Sequence, residues 1–217
     1  LEDYGEVLAL MDGIDTVVHL AGAASPESTW DDVLGPNIIG LRNVLEACRE
    51  AGVRRVVYAS SNHAMGMYDR HEDWPVYPHH LPRPDSLYGV SKVFGETLGR
   101  FYHEEHGLEF IALRIGWVTP DPTETDEDIL HAMWLSEDDT ERVFDALADP
   151  DKTGGSLVMW PNDNGKVLEI LSRLSPWFPD LPIEAAVRRH ADFLVATQRP
   201  EGFWEISGAT YPGTCFV

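Results

Sequence analysis

The fold is decided by the stretch Val53-Arg-Arg-Val-Val-Tyr-Ala-Ser-Ser-Asn-His63, in which an apolar run ends in a polar turn. We predict a buried strand over Arg54 to Ala59, because short apolar runs are typical of strands covered on both faces of a parallel sheet. Ligands of open α/β sheets bind beyond the carboxyl ends of the strands. The polar residues that follow this strand are therefore candidate site residues.

Strands and helices alternate along the chain. We predict further strands over Asp15 to Leu20, Glu109 to Ile115 and Ser156 to Trp160, and helices over Glu6 to Met11, Asp31 to Ala51, Tyr88 to His106 and Ser136 to Leu147. The segment Met65 to Arg83, rich in histidine, proline and aromatic residues, is predicted to be a loop. The alternation predicts an α/β fold with a parallel sheet flanked by helices.

A second motif, Tyr88-Gly-Val-Ser-Lys92, places a phenol and an amine four residues apart on a predicted helix. Residues at this spacing share a helix face, so the Lys92 ammonium is expected to lower the pKa of the Tyr88 phenol. Such a phenol can act as a base near neutral pH, and Ser61 can hold a substrate oxygen. These groups suit proton transfer while a nicotinamide accepts a hydride. Taken alone, the spacing more often belongs to an ordinary solvated pair.

From about Asp15 to Asp121 the chain resembles the extended short-chain dehydrogenases/reductases, also called the NAD-dependent epimerase/dehydratase family. The matching motifs, in the family's order, are Val17-Val-His-Leu-Ala-Gly22, Asn37-Ile-Ile-Gly40, Ala59-Ser-Ser-Asn-His63, Tyr88-Gly-Val-Ser-Lys92, Leu113-Arg-Ile-Gly116 and Thr119-Pro120. The Ser-Ser-Asn-His form is similar to the sugar-oxidising branch, which contains uronate dehydrogenases and haloarchaeal NAD-dependent glucose-6-phosphate dehydrogenases.

The resemblance implies an NAD-dependent oxidoreductase that oxidises an aldose, either a sugar or a sugar phosphate, at its anomeric hydroxyl by hydride transfer. Tyr88 would take the proton, Lys92 would hold the cofactor ribose and Ser61 would bond the reacting oxygen. The implied cofactor contacts are Leu20, Ala21, Gly22, Ser60, Tyr88, Lys92 and Ile115, and the implied sugar contacts are Ser25, Ser61, Asn62 and His63. Asn37 is expected to brace a helix against the active-site strand rather than to touch substrate.

Other interpretations stay open at this point. The same tyrosine and cofactor serve nucleotide-sugar epimerases and dehydratases of the family. A chain with these motifs can also be an inactive fragment or chimera. Ser25 can be a plain turn serine, and Ser60 and Ser61 can simply end a strand. NADP is not excluded as the cofactor, because the residues that select between NAD and NADP are absent.

The glycine-rich G-x-x-G-x-x-G loop that opens this family's fold is not in the chain. The resemblance places Leu1 just before the helix that precedes the family's fourth strand, so we expect this chain to lack about 60 residues, two βαβ units, of the family's fold. We therefore predict a partial Rossmann-like domain over residues 1–165, with an apolar sheet edge at Val17-Val18. Binding of the cofactor by this chain alone is an open question.

Residues 166–217 are predicted to be a helical segment with a different resemblance. The spaced residues Arg189, Phe193, Leu194, Gln198, Gly202 and Trp204 are similar to the QW repeat near the end of squalene and oxidosqualene cyclases, as is Gly208 to Phe216 after them. In those proteins the repeat tightens a helical barrel and does no chemistry. The cyclases' acid motif is absent here, so cyclisation is not predicted. The alternative is an amphipathic helix over Ala185 to Thr197 that closes the domain, with Trp204 as a core aromatic.

One departure from the family bears on the substrate. Uronate dehydrogenases carry an arginine that clamps the substrate carboxylate, and the matching region here, Asp126 to Trp134, has acidic residues and Ile129 in its place. Without a bidentate carboxylate clamp, hexuronates are disfavoured and a neutral or phosphorylated aldose is expected. His131 could contribute to the pocket.

The net charge of −21 disfavours nucleic-acid binding, because the chain repels polyanions. We predict a salt-adapted, halophilic protein in the cytoplasm, where salt screens this charge; the alternative is a merely acidic mesophilic protein. The longest apolar runs are too short to span a membrane, and no secretory leader is visible. A homodimer through the Asp31 and Tyr88 helices is expected from the family only.

The remaining reactive side chains indicate no metal and no disulfide framework. His71, His79 and His80 lack a third ligand at a convincing spacing and are interpreted as solvated loop histidines. Cys48 and Cys215 are the two cysteines, and Cys48 is predicted to be a small buried residue of a helix, which suits a reducing cytosol.

Overall fold

The computed structural model describes residues 1–73, 76, 80–120, 133–149, 157–159, 203–206 and 209–212. They belong to two compact units, one formed by residues 1–114 and 147–159 and the other by residues 115–146 and 160–217. Within the described ranges, none of the helices combines the length and the apolar character that crossing a membrane requires.

The elements are numbered in chain order. The strands are β1 (Thr16–His19), β2 (Arg55–Ser61), β3 (Glu109–Ile115), β4 (Trp117–Val118), β5 (Trp134–Leu135), β6 (Leu157–Met159), β7 (Phe203–Ile206) and β8 (Ala209–Pro212). The helices are α1 (Tyr4–Ala9), α2 (Trp30–Val33), α3 (Leu41–Ala51), α4 (Gly66–Arg70), α5 (Leu87–His106) and α6 (Glu137–Ala148). A π-helical segment (Leu34–Gly40) joins α2 to α3, and a 3₁₀ turn (Asn62–Ala64) follows β2.

The first unit is built on a four-stranded sheet in the order β1-β2-β3-β6. Strand β1 pairs with β2 and β3 pairs with β6, both in parallel, with Val17 opposite Val56 and Ala112 opposite Val158. The predicted α/β fold with a Rossmann-like parallel sheet is confirmed. Val18 is 40% exposed on β1, in keeping with the apolar edge that the sequence predicts.

The core of this unit follows from helical spacing. Leu41, Val44, Leu45 and Cys48 recur on one face of α3 and are buried, and this face packs with α1 and α5. Burial of each such side chain contributes about 1.5–3 kcal/mol. Cys48 is fully buried, as predicted, and burial raises the pKa of its thiol to about 12.

Helix α5 has the predicted extent and clear end signals. The Ser86 hydroxyl accepts a hydrogen bond from the Gly89 amide at 3.0 Å and caps the N-terminus. Gly107 ends the helix with a left-handed φ of 73°, a conformation that favours glycine. These two signals fix where the helix that carries Tyr88 and Lys92 begins and ends.

Two segments of the first unit contain helical elements that were not predicted. The continuous helix over Asp31 to Ala51 contains the π-helical segment, because Pro36 has no amide hydrogen for an α-helical bond and its ring crowds the preceding turn. The predicted loop Met65 to Arg83 contains the short helix α4.

The described residues of the second unit include two strand pairs and the start of helix α6. Strands β4 and β5 pair in parallel, and the Trp134 indole donates to the Thr119 carbonyl at 2.9 Å. Helix α6 begins after Ser136, whose hydroxyl accepts from the Asp139 amide at 3.0 Å, as predicted. Strands β7 and β8 form an antiparallel pair inside the segment predicted to be helical. The rest of that segment, including Gln198, lies outside the described residues, as do His79 and residues 121–132.

Candidate active site

The predicted motifs meet because β2 ends next to the start of α5. Ser61 is the last residue of β2, and its hydroxyl accepts from the His63 amide at 3.2 Å, which starts the 3₁₀ turn. On α5, a Cβ at Gly89 would collide with the carbonyl oxygen of His63. Glycine therefore allows the first turn of α5 to pack directly on the turn after β2, and Tyr88 comes within hydrogen-bond reach of Ser61.

Tyr88 is buried, with 8% of its surface exposed. Burial raises the pKa of its phenol, and the hydrogen bond with Ser61 opposes this rise. The prediction that Lys92 lowers the pKa of Tyr88 below its usual range is therefore wrong for this structure. The two side chains do share a helix face, with the Lys92 Nζ 5.4 Å from the centroid of the Tyr88 ring.

Lys92 is held by a carbonyl and two aromatic rings. Its Nζ donates to the Ala59 carbonyl at 2.7 Å and lies 5.0 Å from the centroid of the Tyr58 ring. Burial lowers the pKa of Lys92 to about 8. An ammonium group has three donors, so donors remain for a ligand beside the bond to Ala59.

His19 also contacts Tyr58. Its imidazole stacks on the Tyr58 ring at 5.9 Å between centroids. Burial, and then the charge of Lys92, lower the pKa of His19 to about 4. His19 is therefore neutral at physiological pH and adds no second charge beside Lys92.

Asn62 and His63 follow Ser61 in the turn next to Tyr88. The Asn62 side-chain oxygen Oδ1 accepts from the Ser61 hydroxyl at 3.1 Å. The His63 ring meets the Tyr88 ring edge-on at 5.8 Å, and its Nδ1 lies 2.9 and 3.0 Å from the two carboxylate oxygens of Asp85. Asp85 was not predicted as a site residue, although it directly precedes the Ser86 cap.

The loop after β1 is exposed, and the Asn37 side chain bonds it. Leu20, Ala21 and Gly22 are exposed at the carboxyl end of β1. Gly22 has a φ of 155°, and a Cβ there would lie 2.7 Å from the Asn37 side-chain oxygen. The Asn37 side chain forms hydrogen bonds with the Ala23 amide and carbonyl of this loop.

The hydroxyls of Ser25 and Ser60 each bond a carboxylate of the chain. Ser25 is exposed and its hydroxyl donates to the Glu27 carboxylate, which lowers the pKa of Glu27. The Ser60 hydroxyl donates at 2.6 Å to Glu96, which forms a buried ion pair with Arg114 at 2.7 Å. The spacing of Tyr88, Lys92 and Glu96 at i, i+4 and i+8 is the signal that could have identified Glu96.

The predicted residues thus fall into three groups. Ser61, Asn62, His63, Tyr88 and Lys92 come together at the carboxyl end of β2. Leu20, Ala21 and Gly22 form the exposed loop at the end of β1. Ile115 is the last residue of β3 and belongs to the second unit. No cluster of three metal-ligating side chains occurs among the residues that the structure describes.

The residues present fit half of a dinucleotide site. An exposed glycine-containing loop and a buried lysine beside a tyrosine lie at neighbouring strand ends, which suits the nicotinamide ribose. The glycine-rich cradle for the pyrophosphate is not in the sequence.

Comparison with known proteins agrees with this arrangement. Residues 1–134 match the family described as the NAD dependent epimerase/dehydratase family. The chain is 42% identical over 159 residues to the NAD-dependent glucose-6-phosphate dehydrogenase of Haloferax volcanii, covering 69% of this chain and 61% of the relative. It is 41% identical over 160 residues to the L-arabinose 1-dehydrogenase (NAD(P)(+)) of the same organism, covering 65% and 63%.

A solved structure gives the same picture. A mutant of uronate dehydrogenase from Agrobacterium tumefaciens complexed with NAD superposes with a TM-score of 0.65 at 33% identity, covering 88% of this chain and 71% of that one. The chain spans about three fifths of the length of the curated relatives described above.

Proposed function

Because the chain belongs to the NAD-dependent epimerase/dehydratase family, we propose that it carries the catalytic residues of an NAD-dependent sugar dehydrogenase. The substrate is an aldose, which is oxidised at its anomeric hydroxyl. The observation that carries the proposal is that the side chains of Ser61, Tyr88 and Lys92 lie close together at the carboxyl end of β2. The names of the relatives support sugar oxidation, and one of them, a 1-dehydrogenase, acts at position 1 of its sugar.

Tyr88 moves the proton in this proposal. The sugar hydroxyl loses its proton to the Tyr88 oxygen, while bound NAD supplies the acceptor for the hydride. Burial raises the pKa of Tyr88 and the hydrogen bond with Ser61 opposes this rise, so the phenolate becomes more populated as the pH increases. The rate is therefore expected to rise with pH above neutrality.

Lys92 and the β1 loop orient the cofactor. The Lys92 ammonium, fixed at the Ala59 carbonyl, has donors left for the ribose hydroxyls. Gly22 and Ala21 leave the backbone accessible at the neighbouring strand end. These contacts would hold the ribose on the side of α5 that carries Tyr88.

The sugar is a neutral or phosphorylated aldose rather than a hexuronate. The support is the acidic sequence Asp126-Glu-Asp, which stands where uronate dehydrogenases have their carboxylate-binding arginine. A carboxylate substrate would be repelled there instead of clamped.

NADH binding is the first test. This 217-residue chain is titrated with NADH by fluorescence in molar KCl, because the net charge of −21 requires screening. Saturable binding supports a cofactor site in the chain. Its absence, with the chain folded, restricts cofactor binding to a longer polypeptide.

Turnover is then measured in the complete gene product with a panel of aldoses and uronates, followed as NADH formation. Tyr88→Phe is expected to lower kcat at least 100-fold, since the proton acceptor is lost. The control is Tyr102→Phe on the same helix, whose hydroxyl bonds Glu46 away from the site. Near-normal turnover of Tyr88→Phe would overturn the mechanism. Sugar conversion without net NADH would favour an epimerase instead.

A further inference from the structure

Asp85 is a buried carboxylate that the proposed proton transfer does not use. Its side chain is 10% exposed and lies on the segment just before α5, whereas His63 is on the turn after β2. The Asp85 amide donates to the His63 carbonyl at 3.3 Å, and the Ser86 hydroxyl donates to an Asp85 carboxylate oxygen at 3.0 Å. A Cβ at Gly66 would collide with the same carboxylate. Asp85 is therefore fixed from several sides.

This carboxylate determines which nitrogen of His63 carries a proton. The His63 Nδ1 lies within hydrogen-bond distance of both Asp85 oxygens, at 3.0 and 2.9 Å. A carboxylate only accepts hydrogen bonds, so the proton is on Nδ1. The neutral ring then has its lone pair on Nε2, the other ring nitrogen. None of the residues that the structure describes forms a hydrogen bond with Nε2.

The His63 ring is partly exposed beside Tyr88. The His63 side chain is 29% exposed and its ring meets Tyr88 edge-on at 5.8 Å. Glu27, on the loop after β1, is close enough for His63 to influence its carboxylate. A lone pair disfavours an anionic ligand group and suits a hydroxyl, which can donate.

We propose that Asp85 is a positioning residue, which holds His63 in the Nδ1–H tautomer so that Nε2 accepts a hydrogen bond from a sugar hydroxyl. The hydroxyl is one other than that which reacts at Tyr88. The sugar contact rests on the proposed function, whereas the tautomer rests on geometry alone. The pair thereby selects a hydroxyl, and not a carboxylate or phosphate, at this part of the sugar.

The tautomer is tested by ¹⁵N NMR of the full chain labelled at histidine, with His63→Gln to assign the signals. We expect a protonated Nδ1 and an unprotonated Nε2 for His63. Asp85→Asn keeps the shape but its amide supports either tautomer, so both ¹⁵N shifts should move toward each other. The control, Asp73→Asn, changes an exposed carboxylate paired with Arg83 and should leave them in place. Nε2 protonation in the unsubstituted chain, or no response to Asp85→Asn, overturns the proposal.

The sugar contact is tested by kinetics of the complete gene product. Asp85→Asn should raise the KM for the sugar about tenfold with little change in kcat, because the contact is equal in ground and transition states. NADH affinity should stay unchanged, which a general loss of structure would not allow. An unchanged KM overturns the sugar contact. If the unsubstituted protein does not turn over any sugar, the proposed function is overturned, and the sugar contact with it. In that case the NMR result still decides whether Asp85 sets the tautomer of His63.

Discussion

The side chains of Asn37 and Ser91 are joined by a buried hydrogen bond, although the two residues are 54 positions apart in the sequence. The Asn37 amide donates to the Ser91 hydroxyl at 2.8 Å and to the Ala23 carbonyl at 3.0 Å, while its oxygen accepts from the Ala23 amide at 2.7 Å. Ser91 in turn donates to the Tyr88 carbonyl at 2.7 Å. Asn37 thus connects the loop after β1 to the helix that carries Tyr88.

We expect Asn37→Ala to weaken both the fold and cofactor binding. The substitution removes the side-chain partner of the partly buried amide and carbonyl of Ala23, at a cost of about 1 kcal/mol or more. The loop over Leu20 to Gly22 loses its support, so the Kd for NADH should rise as well. Urea unfolding and NADH titration measure the two effects.

The control for this substitution is Asn43→Ala. Asn43 is also buried and donates to the Leu1 and Glu2 carbonyls at 3.0 Å, away from the candidate site. It should lower stability without changing the Kd for NADH among folded molecules. Equal effects of both variants on the Kd would argue against a specific role of Asn37 in supporting the loop.

Burial of Lys92 predicts a particular dependence of stability on pH. Burial lowers its pKa from 10.5 to about 8, so the folded chain releases this proton before the unfolded chain does. Between these pH values the unfolded state binds more protons, and the contribution of Lys92 to the free energy of unfolding rises with pH. Below about pH 8 the full penalty of the buried charge remains.

Lys92→Met removes this contribution. We compare the free energy of unfolding of the unsubstituted chain with that of Lys92→Met. The advantage of the unsubstituted chain should rise by about 3 kcal/mol between pH 8 and 10.5. Lys92→Arg keeps a positive charge that does not titrate in this range, so it should lack the slope too. Urea unfolding across this pH range gives the result. The same slope in all three proteins would show that the ammonium is not held in a buried position.

The limits of sequence-based prediction are clear from particular residues. Strand β3 and helix α5 were predicted within one residue, because apolar runs, Ser86 and Gly107 are local signals. Asp85 and Glu96 were missed, because their partners, His63 and Arg114, lie 22 and 18 positions away and meet them only after folding. The i+8 spacing from Tyr88 places Glu96 on the right face of α5, but no local pattern identifies its partner Arg114 or the contact of Asp85 with His63.

The direction of the Tyr88 pKa was mispredicted for the same reason. The i, i+4 spacing correctly places Lys92 on the helix face of Tyr88, but burial depends on the elements that cover this face. Because desolvation outweighs the effect of nearby groups there, the pKa rises. The roles of these residues in catalysis stay predictions.

The close contact at Gly89 gives the last prediction, in which two identical substitutions have opposite effects. Alanine is intrinsically better than glycine inside a helix by about 1 kcal/mol. At Gly89, however, the new Cβ would collide with the His63 carbonyl oxygen and lie 3.1 Å from the Pro84 Cβ. A backbone oxygen cannot rotate away, so α5 must shift. Gly89→Ala should therefore lower the free energy of unfolding by about 1–3 kcal/mol and separate Tyr88 from Ser61.

Gly5→Ala in α1 is the matched control. Its Cβ would meet only the Asp3 carboxylate oxygen at 3.4 Å, an ordinary contact, so the substitution should stabilise the chain by about 0.5–1 kcal/mol. Urea unfolding of both variants gives the sign of each change in the free energy of unfolding. Ultraviolet absorbance, compared with that of Tyr88→Phe, gives the pH at which Tyr88 ionises. This pH reports whether the hydrogen bond with Ser61 is lost. That ionisation should move to higher pH in Gly89→Ala alone, because the Ser61 hydrogen bond is what opposes the rise in the pKa of Tyr88. If Gly89→Ala is as stable as Gly5→Ala, the first turn of α5 does not pack on the turn after β2 as closely as described.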